Sequence, residues 1–303
     1  MAESPRALSN GWAIILFIVM SAIWGLTWIA IRVGVDVLPP FFFAASRFLA
    51  AGPLLLFMAW MSGHRLTTPG RGRQLLATAL LSNTICYAGA FWGMRYVPTG
   101  FAAVINLALI PVGVFLIGVA AGQERFAWAK LGAVVLGVVG LGVMFEGRSA
   151  IDPSPEALAG AAAIVAGTIA FCIGSVFTRP LARDIPAFVI AGWHCIFGGI
   201  GLALLSLAFE APSLSFFAAY ADPAVLAGWA FLVFGGSISA YTIYLRLLRT
   251  WGPTVAAGYC FVSPAIAAAV GWVVFGERYT ATEGVGALVM FAATFLMLRT
   301  TGR

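Results

Sequence analysis

Ten polar or aromatic side chains stand inside long stretches of this sequence that are otherwise apolar, and they are the groups with chemistry to offer. Trp24 and Trp28 fall four residues apart, as do Asn83 and Tyr87, Ser237 and Tyr241, and Tyr259 and Ser263. That interval puts the members of each pair on one helical face. Asn106 and His194 stand alone in their stretches. Amides, phenols, hydroxyls and indoles on a half-apolar wall hold a small polar solute by hydrogen bonds and ring faces without a fixed charge. This is recognition rather than bond breaking. The sequence has no His-Glu-x-x-His, no paired Asp inside an apolar stretch and no serine with a motif-matched histidine, so an intramembrane enzyme is not expected. Clustered His, Asp or Glu that would hold a metal is missing too, and nothing asks for a cofactor.

Charged residues tell a second story. No Asp or Glu falls deep in an apolar stretch, which counts against a proton-loading carboxylate and against a counter-charge for organic cations. Arg47 is the exception among the cations, and it reads as a structural charge that caps helix carbonyls or snorkels outward. His194, one of only two histidines, offers a proton relay near its unperturbed pKa or, more commonly, a neighbour-bonded imidazole.

These residues sit in a chain of 303 residues that is 62% hydrophobic and only 9% charged. A water-soluble domain of that composition would expose large apolar patches, so the solvent is lipid. Crossing a hydrocarbon core takes roughly 20 apolar residues. Ten stretches qualify: Trp12 to Val35, Phe41 to Met61, Gln74 to Met94, Val97 to Ala121, Phe126 to Phe145, Ala157 to Thr178, Ile185 to Phe209, Pro223 to Leu245, Gly252 to Phe275 and Thr280 to Leu298. Their continuity predicts helices rather than alternating barrel strands. Cys86, Cys172, Cys195 and Cys260 lie within these stretches with no CxxC spacing and read as small buried apolar residues.

Orientation follows from the basic residues. With ten crossings, 12 of the 17 Lys and Arg fall on one side, four on the other, and Arg47 inside the second helix. The positive-inside rule therefore places both termini in the cytoplasm. The net charge of +6 is a topological signal, and no nucleic-acid partner is expected. Sixteen arginines beside one lysine suggest a GC-rich bacterial genome, hence a bacterial inner membrane.

The chain repeats itself. IPVGVFLIGVAAGQERF, from Ile110 to Phe126, is echoed by SPAIAAAVGWVVFGERY, from Ser263 to Tyr279. Pro111 matches Pro264, Gly118 matches Gly271, and Glu124-Arg125 matches Glu277-Arg278. Arg32 pairs with Arg179, Pro39 with Pro186, Arg47 with His194 and Pro98 with Pro253. The expected organisation is a first repeat over 1–146, an extracytoplasmic linker over 147–156 and a second repeat over 157–303. Five crossings per half is an odd number, so the second repeat is inverted relative to the first, a construction that secondary transporters use for alternating access. Pro111 and Pro264 free the carbonyls of Leu107 and Cys260 and are candidate gating hinges. The pairs Glu124-Arg125 and Glu277-Arg278 are expected to form helix-end ion pairs with a packing role. Glycines 132, 137, 140 and 142, and 198, 199 and 201, permit close helix contacts within or between chains.

These features resemble the EamA-type members of the drug/metabolite transporter superfamily. The residues that carry the likeness are Trp24-Gly25, the following Arg32, AASRFLAA around Arg47, GQE ending at Glu124, and Gly276-Glu277. Departures are the inserted Gln123, and Phe171-Cys172 and His194 where the second repeat would carry Trp-Gly and Arg. The resemblance spans both halves and implies an all-α integral membrane protein of ten transmembrane helices in two inverted five-helix repeats. It further implies export of small neutral or zwitterionic metabolites, amino acids above all, as in the YddG-like exporters. Such a protein works by alternating access, as a facilitator, with the lipid bilayer and a small-molecule substrate as its partners. The alternatives are a phosphorylated-sugar or drug exchanger of the same superfamily and a proton-coupled antiporter using His194. The oligomeric state is left open.

Overall fold

In the computed structural model, which describes residues 10–146, 154–211, 213–275 and 280–299, ten main helices follow one another, with a short 3-10 helix at Leu214–Ala221 before the eighth and no strand among the described residues. They are α1 (Asn10–Val35), α2 (Pro40–Met61), α3 (Gly72–Gly93), α4 (Thr99–Ala120), α5 (Trp128–Met144), α6 (Pro155–Asp184), α7 (Ala187–Phe209), α8 (Pro223–Trp251), α9 (the turn Pro253–Ala256 continued by Tyr259–Phe275) and α10 (Ala281–Arg299). Eight of them are long and apolar enough to cross a membrane outright, and α5 and α9 are shorter apolar helices.

Two helices differ from the sequence expectation. α6 runs on through Pro180 to Asp184 instead of stopping at Thr178. Proline forfeits one backbone bond, but Leu181 and Ala182 are buried and Asp184 accepts from Arg71 at 2.8 Å, so the added turn is held by its neighbours. α8 likewise extends past Leu245 to Trp251, because Leu247 and Leu248 are buried. It ends where Gly252 takes φ +81, a left-handed conformation that favours glycine, and Pro253 starts α9 at once.

The packing obeys a pseudo-two-fold exchange of helix n for helix n+5. α1 packs on α8 and α9, and its counterpart α6 packs on α3 and α4. α2 packs on α7 and α5 on α10, each pair mapping onto itself. An odd number of crossings per half makes that axis lie in the membrane plane, so the fold is two inverted five-helix repeats.

Lipid supplies no hydrophobic drive between helices, and close backbone approach replaces it. On the α5–α10 seam a methyl group at Gly286 would lie 2.5 Å from the Met144 nitrogen and 2.7 Å from the Gly140 carbonyl oxygen. On α7, a methyl at Gly198 would meet the Asn83 Cβ at 2.3 Å. The seams built on Gly140, Gly198 and Gly199 are therefore contacts within the chain, whereas Gly132 and Gly142 face open space.

Two irregularities break the ladders at equivalent places. Leu80–Ile85 in α3 and Phe231–Ala240 in α8 are wound as π-helix. Such widened turns are rare and concentrate at functional sites. They place Asn83 in one repeat and Ser237 in the other. α4 and α9 pass through Pro111 and Pro264 without interruption.

Candidate functional site

A cavity of about 70 Å³ lies where α1, α3, α4, α6 and α9 converge, and thus between the repeats. Trp24, Thr27 and Trp28 form one wall, Cys86 and Tyr87 a second, Asn106, Leu107 and Ile110 a third, and Phe171 and Tyr259 close it. Trp24 meets Tyr259 edge-on at 4.4 Å between ring centroids. Tyr244, behind them, lies 5.3 Å from Trp24 and 5.9 Å from Phe171 and shares a short hydrogen bond with Ser175. Asn106 donates to the Thr168 hydroxyl at 2.9 Å, and that hydroxyl donates in turn to the Ile164 carbonyl at 2.7 Å. The Thr168 proton being spent there, the Asn106 amide is held by its NH₂. The lining is aromatic and aliphatic with one amide, and has no acidic residue among the described residues.

Five of the ten sequence candidates meet here: Trp24, Trp28, Tyr87, Asn106 and Tyr259. The other five do not line this cavity. His194 is 0% exposed, its Nε2 at 3.0 Å from the Thr78 hydroxyl and its Nδ1 at 2.6 Å from the Tyr241 hydroxyl. Thr78 also reaches the carbonyls of Gln74 and Leu75, so its hydroxyl donates there and accepts from the imidazole. A neutral ring protonated at Nε2, with Tyr241 donating to Nδ1, satisfies every member. Ser263 donates to the Ser21 carbonyl at 2.8 Å and ties α9 to α1. Asn83 is buried against Gly198 with its Oδ1 unpartnered. Ser237 accepts from Arg47 Nε at 3.3 Å.

Arg47 neither snorkels nor caps a helix. It is 2% exposed, and its guanidinium carbon stands 4.5 Å from the Phe48 centroid and 4.8 Å from that of Tyr87. An arginine at mid-helix depth costs about 2.5–3.5 kcal/mol to insert, and a desolvated ring face returns about 2 kcal/mol of that. Thr27, Cys86 and Phe171 were not among the sequence candidates: Cys86 read as a buried apolar residue, Phe171 only as a departure from Trp-Gly, and a lone Thr27 hydroxyl, bonded to the Trp24 carbonyl, does not stand out.

Two larger spaces lie toward the ends of the bundle. A crevice of about 320 Å³ between α1, α4, α5, α9 and α10 shares Trp28 and Leu107 with the cavity and leads toward the bundle end that carries Glu283 and Phe145. At the opposite, arginine-rich end lies a bowl of about 830 Å³ around Arg125, Lys130, Arg179 and Arg299, sharing no residue with the cavity. It is the larger space and lies among helix ends.

Glu124 stands at its margin. Its side chain is 3% exposed, pairs with Lys130 at 3.0 Å, and accepts the Thr254 backbone N–H at 3.1 Å and hydroxyl at 2.8 Å. Arg179 donates to the Gln123 carbonyl at 2.6 Å beside it. The carboxylate thus goes to Lys130 and to the first turn of α9, not to its neighbour Arg125, which is exposed. Glu277 and Arg278, the matching pair, lie outside the described residues. At the acidic end Glu210 does a similar thing, accepting the Phe41 and Phe42 N–H groups at 2.7 and 2.8 Å and so capping α2 from the end of α7.

Inverted halves around a small, mostly apolar chamber with a few polar groups define a multi-pass membrane protein of the secondary-transporter class. The chain belongs to the EamA-like transporter family, whose model matches residues 11–145 and again 158–299. It is 30% identical to the uncharacterized inner membrane transporter YedA of Escherichia coli K12, covering 91% of this chain and 87% of that one. Similarity to the transporter YoaV of Bacillus subtilis is 26% over 94% of this chain and 96% of YoaV. A probable amino-acid metabolite efflux pump of Salmonella typhimurium is 23% identical over 93% of both chains. One crystal structure shares the fold with a TM-score of 0.78 at 18% identity, covering 95% of this chain and 96% of that one. The family and the three named relatives carry transporter or efflux-pump names.

Proposed function

We propose that this EamA-family transporter exports small neutral or zwitterionic metabolites, amino acids first among them, from the cytoplasm of a bacterium across its inner membrane. Both termini are cytoplasmic, which makes the arginine-rich end the inner one. The two repeats, 1–146 and 157–303 with the linker 147–156, rock about the central cavity and expose it to each side in turn, driven by the solute gradient alone.

The observation that carries this reading is the cavity lining. Trp24, Trp28, Tyr87 and Tyr259 offer ring faces to an ammonium and an apolar side chain, and Asn106 offers an amide, with no carboxylate present to select organic cations. At about 70 Å³ the chamber is well below the roughly 300 Å³ of an ordinary ligand pocket, which suits a contracted state closed on the cytoplasmic side by Glu124 and Thr254. The similarity to an amino-acid metabolite efflux pump points the same way.

The test is efflux from liposomes. Purified protein should release loaded, labelled amino acids faster than protein-free liposomes, at a rate indifferent to an imposed pH gradient. Release of none of the amino acids would refute the substrate class, and acceleration by a pH gradient would refute the facilitator mechanism. Impermeant thiol reagents added outside intact cells should label an Asp222→Cys variant and spare an Arg125→Cys variant; the reverse pattern would invert the assigned topology.

A further inference from the structure

We propose that Arg47 is the carboxylate-binding element of the transport site, so that the protein selects solutes carrying an anionic group. The inference rests on the proposed transport function and names the chemistry of its substrate.

Arg47 Nη1 is buried and has no hydrogen-bond partner. Nε has only a long bond to Ser237, 3.3 Å. The ion pairs among the described residues are Arg32–Asp36, Arg71–Asp184 and Lys130–Glu124, so none neutralises Arg47. Around its guanidinium stand the rings of Phe48, Tyr87 and Phe91 at 4.5, 4.8 and 6.0 Å. Ring faces soften the isolation of a buried cation, but they do not satisfy an N–H donor.

Two further observations connect this charge to the solute. Tyr87, whose ring faces the guanidinium, is itself a wall of the central cavity. Ser237, which accepts from its Nε, is presented by the π-helical stretch of α8, a distortion found preferentially at working sites. A carboxylate entering from the cavity would supply the missing acceptor in the two-pronged geometry that guanidinium favours. The substrate's ammonium and side chain would then remain among Trp24, Trp28 and Tyr259.

Binding of matched probes to the full chain in detergent, read from tryptophan fluorescence, tests this. The probes are leucine against leucinamide and N-acetylleucine against N-acetylleucinamide, the second pair differing only in the carboxylate charge. Wild type should bind each acid at least tenfold more tightly than its amide. Arg47→Gln should abolish that ratio, and Arg47→Lys should restore part of it. Equal binding of acid and amide by the wild type, or a ratio that survives Arg47→Gln, overturns the proposal. Should Arg47→Gln not fold, the wild-type ratio and its reduction in Arg47→Lys decide. Tight, Arg47-dependent binding of N-acetylleucine without efflux of any amino acid would leave the carboxylate subsite standing and remove the amino-acid function.

Discussion

The Glu124 carboxylate accepts both the backbone N–H and the hydroxyl of Thr254, at 3.1 and 2.8 Å, so a loop of the first repeat caps the first turn of α9 in the second. The contact joins the halves at the arginine-rich end of the bundle, and it places an anion on a helix N-terminus, where the dipole favours it. Opening that end requires breaking it.

The first prediction concerns this clamp. Glu124→Gln keeps the shape but removes the charge that Lys130 and the α9 N-terminus share, a loss of about 1.5–3 kcal/mol for charge-assisted hydrogen bonds. The balance should shift toward states open at the arginine-rich end. Cys86 lines the cavity, so in a background with the other cysteines replaced its modification by a thiol reagent applied from that end should accelerate severalfold. An unchanged rate would mean that the clamp does not hold the gate.

Asn106 provides the second. Its amide is anchored by Thr168 and stands in the cavity wall. Asn106→Ala removes a hydrogen bond worth about 0.5–1.5 kcal/mol, so the apparent affinity for the exported solute should fall roughly three- to tenfold. Insertion and monodispersity should be preserved. Wild-type efflux from Asn106→Ala liposomes would take Asn106 out of the site.

His194 supplies a third expectation, on coupling. With Thr78 on one nitrogen and Tyr241 on the other, the imidazole ties α7 to α3 and α8 and both its nitrogens are engaged. His194→Ala takes away the partner of the buried Tyr241 hydroxyl, while Thr78 keeps its backbone acceptors, and should cost about 1–3 kcal/mol of stability. Heat-induced unfolding should register that loss, whereas efflux from the wild type should not respond to a proton gradient. A gradient response lost in His194→Gln would instead make it the coupling residue.

The α5–α10 seam gives the last. Gly286→Ala would press a methyl to within 2.5 Å of the Met144 nitrogen and force the two helices apart. Overpacking of this kind costs about 1–3 kcal/mol. A lower melting temperature is expected for Gly286→Ala and not for Gly142→Ala, whose methyl would face open space.

Much of this architecture was readable from residues alone, because lipid permits few solutions. A chain with ten apolar stretches must fold each into a helix that satisfies its own backbone, and the duplicated Pro111/Pro264 passage with odd-numbered halves forces the inversion. Helix ends were less legible: α6 and α8 run beyond the expected stops because buried contacts of Leu181, Leu247 and Leu248 outweigh Pro180 and the nearby arginines. The π-helical stretches around Asn83 and Ser237 left no mark in sequence, since they depend on what packs beside them.

Helical periodicity says which side chains share a face of one helix, but not which faces meet. Trp24, Tyr87, Asn106 and Tyr259 come from four helices and converge on one chamber, whereas Ser237, Tyr241 and His194, equally polar, are used up in contacts between helices. For Arg47 the sequence established that a cation lies in the membrane; three-dimensional packing established that no carboxylate among the described residues answers it. The division has one physical cause: burial from water is a property each segment carries alone, while the partner of a buried polar group is set by segments distant in the chain.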